Sequence, residues 1–183
     1  MNSSSEINPH ISEARLRIPE AWPPIETDIG KVAEYEAKLE ETLKLLGWPE
    51  SDVLDASMVF REWLLNAMIH GNMGLFQNKG EDTKEWEERI KTAQNLPEVK
   101  AKRLYVNINA TGNRLTVEIQ DEGKDSREFW LENKQPDALQ EPTKWHSGRG
   151  GILAQAFTNE MSFEKNNKGI KVIFVRDLTK RLR

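Results

Sequence analysis

The chain has 183 residues with 26 basic and 30 acidic side chains, a formal net charge of −4, and no cysteine. That length supports one well-buried core rather than two comfortable domains. The charge gives no bulk reason to bind nucleic acid, and the missing cysteines exclude a disulfide framework, a thiolate metal site and a cysteine nucleophile.

Residues 1–12 are rich in Ser and Asn and read as a loose tail, because they cannot bury enough apolar surface to offset ordering. No apolar run approaches the roughly 18 residues of a spanning helix, and the Met1-Asn2-Ser3-Ser4-Ser5 start lacks a signal peptide's apolar core. The expectation is a soluble, cytoplasmic protein that meets a small ligand or a partner surface, with no membrane and no direct nucleic acid. Ala14 to Pro19 alternates apolar with basic residues and stops at proline, as a short edge strand does. Trp22-Pro23-Pro24 is a stiff connector. From Asp28 to Leu46 the apolar positions follow helical spacing, with Gly47 as the stop, and Pro49-Glu50-Ser51-Asp52 opens a second helix that Gly71 ends.

A charged stretch follows over 73–102. Within it Thr83 to Asn95 predicts a solvated helix that touches the body through Trp86 and Ile90, closed by Pro97. Leu104 to Asn109 and Leu115 to Ile119 alternate as two strands joined by Thr111-Gly112-Asn113. Asp121 stands at the mouth of the second strand. Residues 124–147 show no sustained period and predict a mobile surface segment. Gly148-Arg149-Gly150-Gly151 then precedes an apolar run, Ile152 to Phe157, expected to be helical. Glu160 to Glu164 and Ile170 to Val175 form a second hairpin about Asn166-Asn167-Lys168-Gly169, and 178–183 is a basic end.

Three features of this chain carry chemistry. Within the second helix Met58, Phe60, Trp63, Leu64, Ala67 and Met68 supply the apolar period, yet Glu62, Asn66 and His70 recur every fourth residue. A carboxylate, a carboxamide and an imidazole one turn apart can offer a proton acceptor, a metal-oxygen ligand and a switchable donor to one small volume. The same row also fits an amphipathic helix with an ordinary glycine cap at Gly71. In Asp121-Glu122-Gly123, the aspartate at a strand end can aim a carboxylate into a pocket, while Gly123 lets a flat ring approach the backbone. That suits an exocyclic amine such as adenine's. Gly148, Gly150 and Gly151 open a helix whose unpaired N–H groups and positive dipole end make a phosphate seat. Each of the last two is also an ordinary turn or helix start; their joint order is the specific signal.

In that order, the Glu62-x-x-x-Asn66-Ala67-x-x-His70-Gly71-Asn72 string, Asp121-x-Gly123 and Gly148-Arg149-Gly150-Gly151 resemble the boxes of the histidine-kinase-like (GHKL) ATPases. His70-Gly71-Asn72 and Ser147-Gly148-Arg149-Gly150 look most like the anti-sigma-factor serine kinases (RsbW-like). The resemblance covers 13–177 and implies an α+β fold: a two-layer α/β sandwich with a mixed, mainly antiparallel sheet (the Bergerat fold), a charged insertion over 73–102 and an ATP lid over 124–147. It implies ATP and Mg²⁺ as cofactors, with Glu62 as general base, Asn66 as the Mg²⁺ ligand, Asp121 as the adenine reader, and Gly148, Arg149, Gly150 and Gly151 facing phosphate. His70, Gly71 and Gly123 belong to the same nucleotide pocket by that resemblance.

The activity so implied is a stand-alone serine/threonine kinase that phosphorylates a serine on an anti-sigma-factor antagonist (STAS-type) protein and sequesters a sigma factor, with a homodimer allowed. The alternative is a nucleotide-gated or nucleotide-dead interaction module without turnover. Two departures stand out: Asp125 replaces the second glycine of the usual Asp-x-Gly-x-Gly box, and the 73–102 insertion is longer than a minimal kinase has. A histidine-kinase module would need a phospho-acceptor histidine in a dimerisation helix, and none of His10, His70 and His146 sits in one.

Overall fold

The strands with the strictest alternation become the centre of the sheet. In the computed structural model, which describes residues 18–78, 80–123 and 156–178, β3 (Arg103–Ala110) buries Leu104, Val106, Ile108 and Ala110. β4 (Arg114–Gln120) buries Leu115, Val117 and Ile119 beside them. A period of two puts these side chains on one face. β6 (Ile170–Asp177) adds Ile170, Val172 and Phe174, while β1 (Ile18–Ala21) and β5 (Glu160–Lys165) form the two edges. The order is β1-β3-β4-β6-β5, and the two-residue β2 (Ile25–Glu26) pairs with the start of β3.

The expectation was a mixed, mainly antiparallel sheet, and every pairing among the described residues is antiparallel. The cause is local: β3–β4 and β5–β6 are hairpins, and Trp22-Pro23-Pro24 joins two short strands that both run against β3. Pro19 does not end β1 but lies inside it, at a sheet edge, where a residue without an N–H is tolerated.

The buried face is covered by two helices. Asp28 accepts from Gly30 N at 2.9 Å and caps a 3₁₀ turn (Ile29–Lys31) before α1 (Val32–Leu45) begins, so the α-helix starts later than its spacing suggests. Gly47 closes it with φ +79°, which glycine adopts without steric cost. α2 (Glu50–Asn66) then buries Val53, Ala56, Val59, Phe60, Trp63 and Leu64. These join the strand residues in one cluster, and each large side chain contributes about 1.5–3 kcal/mol by leaving water.

The charged stretch forms α3 (Thr83–Ala93), which opens on an Asp82–Glu85 capping box and buries Ile90, and α4 (Pro97–Lys100), with Pro97 in its first turn. Pro97 therefore opens a helical turn besides closing the one before. No helix among the described residues is long and apolar enough to cross a membrane. The expected lid, the glycine box at 148–151 with residues 152–155 of the helix expected after it, Asp125, residues 1–17 and residues 179–183 lie outside the described residues.

Candidate functional site

Helix α2 does not stop at Gly71. From Ala67 to Asn72 it widens into a π-helical turn, closed by Met73 N donating to Met68 O at 2.9 Å, five residues back. Such turns insert a residue into a helix and recur at functional sites. The widening splits the polar row. Glu62 and Asn66 meet, with Asn66 Nδ2 donating to Glu62 Oε1 at 3.0 Å. His70 instead joins the start of the 73–102 stretch: Nδ1 lies 2.6 Å from Leu75 O, and the ring stacks on Phe76 (centroids 5.3 Å apart) and Trp86 (6.5 Å). A carbonyl only accepts, so Nδ1 carries the proton. Burial holds this imidazole below its ordinary pKa, against the opposing effect of the Leu75 bond.

The π turn brings Gly71 onto Asp121. A Cβ added at Gly71 would overlap the Asp121 carboxylate, one at Gly123 would overlap the Gly71 carbonyl, and one at Gly169 would overlap both Asp121 Oδ1 and its main chain. None of the three glycines has a positive φ. They are glycines because helix end, strand end and hairpin turn pack backbone to backbone around one carboxylate. Gly123 thus makes room for Gly71, a closer reason than the approach of a flat ring.

Asp121 is 3% exposed, and its Oδ1 accepts from Gly123 N at 2.9 Å and Ile170 N at 3.0 Å. Its own N–H donates to Ile170 O at 3.0 Å, which locks the end of β4 to the start of β6. Burial pushes the carboxyl up to about 6, although the Ile170 and Gly123 N–H groups and the charge of Lys102 pull the other way. Gln120 braces the same turn, with Nε2 on Asp121 O at 2.7 Å and Oε1 accepting from Asn166 at 2.5 Å.

Asn72, at the end of the π turn, is 0% exposed. Its Nδ2 donates to Thr27 Oγ1 at 2.8 Å and Arg103 O at 3.2 Å, and its Oδ1 accepts from Glu122 N at 2.7 Å. Lys102 Nζ donates to its carbonyl at 2.5 Å. The sequence signals for Glu62, Asn66, Gly71, Asp121 and Gly123 therefore fall on two touching elements, with His70 turned to the insertion. Asn72, Lys102 and Gly169 were not singled out as site residues. Gly169 gave a signal of the wrong kind, a turn glycine in a turn that does not need its φ.

With Nδ2 committed to Glu62, the side-chain oxygen of Asn66 is a hard ligand of the type Mg²⁺ accepts alongside phosphates and water. Among the described residues no cluster of three His, Cys, Asp or Glu side chains could hold a metal alone. Gly148, Arg149, Gly150 and Gly151 lie outside the described residues. In comparisons with known proteins, no family model and no curated protein matches the chain.

Proposed function

We propose that the chain binds Mg-ATP between α2 and the Asp121 turn and transfers its γ-phosphoryl group to a serine of a partner protein. The observation that carries this reading is the buried Asp121 carboxylate, enclosed by three glycines against the helix that bears the Glu62–Asn66 pair. Two backbone N–H groups hold one oxygen of this carboxylate, and the exocyclic amine of adenine would supply a further donor in place of water. Guanine presents a carbonyl at that ring position, and two facing acceptors with no proton between them discriminate strongly.

Asn66 would hold the metal through its amide oxygen, and Mg²⁺ would supply charge neutralisation for the phosphates. Glu62 keeps one oxygen on Asn66 and has a second for an incoming hydroxyl. In the transfer, the serine oxygen bonds to the γ-phosphorus as the bond from that phosphorus to the β–γ bridging oxygen breaks. The serine proton passes to Glu62, and ADP leaves with the electron pair. Following the family resemblance, the acceptor is a STAS-type anti-sigma-factor antagonist, and a sigma factor is the protein sequestered.

The second reading, a nucleotide-gated or nucleotide-dead interaction module, is favoured by the negative charge of Asp125 at the start of the expected lid. The test is phosphate transfer to such an antagonist domain by wild type and Glu62→Gln. Loss of general-base action costs about 10²–10⁴ in rate, with Mg-ATP affinity held within a few-fold. Transfer at full rate in the variant removes Glu62 from the mechanism, and tight partner binding with no transfer by wild type establishes the interaction module.

A further inference from the structure

The 73–102 stretch leaves the body at Asn72 and returns at Lys102, and these two ends bond to each other through Lys102 Nζ and the Asn72 carbonyl. Asn72 and the strand that follows Lys102 both act on the residue next to Asp121. Arg103 N donates to Glu122 Oε2 at 2.8 Å and Tyr105 OH to Glu122 Oε1 at 3.1 Å, so the Glu122 side chain is held by β3. Its main chain is held differently, because the Glu122 N–H donates to Asn72 Oδ1. That N–H belongs to the peptide unit joining Asp121 to Glu122, whose orientation sets where the Asp121 carboxylate sits.

We infer that Asn72 is a positioning residue for base recognition: its carboxamide clamps the Asp121–Glu122 peptide to the π-helical turn and so aims the Asp121 carboxylate at the purine. The inference rests on the reading of Asp121 as the adenine acceptor.

The chemistry of the position admits few substitutes. Two donors and one acceptor are required at once, toward Thr27 Oγ1, Arg103 O and Glu122 N, and at this reach only a carboxamide supplies them. An aspartate would keep the acceptor but set a carboxylate against the Arg103 carbonyl. A serine would be too short to span the partners. The π turn gives the reason for its own presence here, since it carries the chain one residue further per turn and ends with Asn72 inside the protein. Lys102 is anchored by the same clamp and lends its charge to the Asp121 carboxyl.

The experiment uses the full chain with Asn72→Ser, Asn72→Asp and Thr27→Val, the last keeping Asn72 but removing one of its anchors. Calorimetric titration with Mg-ATP and with Mg-GTP is read beside the melting temperature of each variant. The expected result is a loss of about tenfold in Mg-ATP affinity for Asn72→Ser and Asn72→Asp, about 1.4 kcal/mol, with Mg-GTP affinity nearly unchanged. Thr27→Val should shift the same ratio in the same direction by less. A folded Asn72 variant that keeps the wild-type ATP-to-GTP ratio, or that weakens both nucleotides by the same factor, makes Asn72 purely structural and overturns the inference. If the Asn72 variants do not fold, a Thr27→Val ratio equal to wild type overturns it. Wild type that binds Mg-GTP as well as Mg-ATP, or neither, overturns the Asp121 reading and the inference together, an outcome separable from the others.

Discussion

Helix α2 meets the sheet through aspartates at both ends, and the two ends are built on opposite terms. At its start Asp52 and Asp55 face Arg176 of β6, at 2.6 Å and 2.9 Å, and Arg176 also donates to Phe157 O. At its far end Gly71 presses on Asp121, which has two backbone N–H donors and, among the described residues, no cation bonded to it. A paired carboxylate between helix and sheet stabilises the fold. An unpaired one keeps a desolvation cost that a donor from outside can offset, and such local inconsistency is what binding sites show.

The largest effect is expected from breaking the paired end. Arg176→Ala leaves two partly buried carboxylates facing each other and should lower stability by about 3 kcal/mol, toward the lower end for a broken buried pair because these side chains keep some exposure. Denaturant unfolding measures it, and adding Asp52→Asn and Asp55→Asn to the same chain should recover much of the loss.

The unpaired end should respond to pH with a definite sign. Asp121 has its folded pKa raised from 3.8 to about 6, so between those values the folded state holds the extra proton and stability falls as pH rises. Integrated over that window, the cost above the folded pKa is about 3 kcal/mol. Asp121→Asn keeps an acceptor toward Gly123 and Ile170 without the charge, so its stability relative to wild type should grow by about that amount from pH 4 to pH 8. Chemical denaturation at the two pH values checks it, and a difference that does not change with pH would contradict the buried-charge account.

The glycine enclosure should be the next in size. Gly169→Ala forces a methyl group into Asp121 and should cost about 1–3 kcal/mol by overpacking, whereas Gly112→Ala, with only Leu46 O at 3.6 Å, should be nearly silent. Melting temperatures separate the two. The smallest effect belongs to His70, whose pKa is lowered: its stabilisation is present above pH 6.5 and lost as pH falls through the folded value, opposite in sign to Asp121. His70→Gln should flatten that acid limb of the melting profile.

Local pattern made some of this legible in the sequence. The strict alternation of Leu104 to Asn109 and Leu115 to Ile119 gave β3 and β4 to within a residue at each end. Glu62 and Asn66, one turn apart in the sequence pattern, share one face of the helix and meet there. What was not legible depends on distant partners. A two-residue strand such as Ile25–Glu26 has no period to detect, and its pairing is decided by β3. The π turn over Ala67–Asn72 exists because Asn72 finds Thr27, Arg103 and Glu122 far along the chain, so a period of 3.6 carried His70 into the wrong row. Gly169 looked like a turn residue because the carboxylate it accommodates is 48 positions away, at Asp121.

Thermal denaturation at pH 8, with and without Mg-ATP, tests Asp121 as a nucleotide-binding carboxylate. The structure leads us to expect that Mg-ATP at a hundredfold excess over its dissociation constant stabilises wild type by about 2.7 kcal/mol. Asp121→Asn should melt at a higher temperature than wild type without ligand and gain little from Mg-ATP. A wild-type melting temperature that millimolar Mg-ATP leaves unmoved, or an Asp121→Asn variant that responds to Mg-ATP as wild type does, would contradict it.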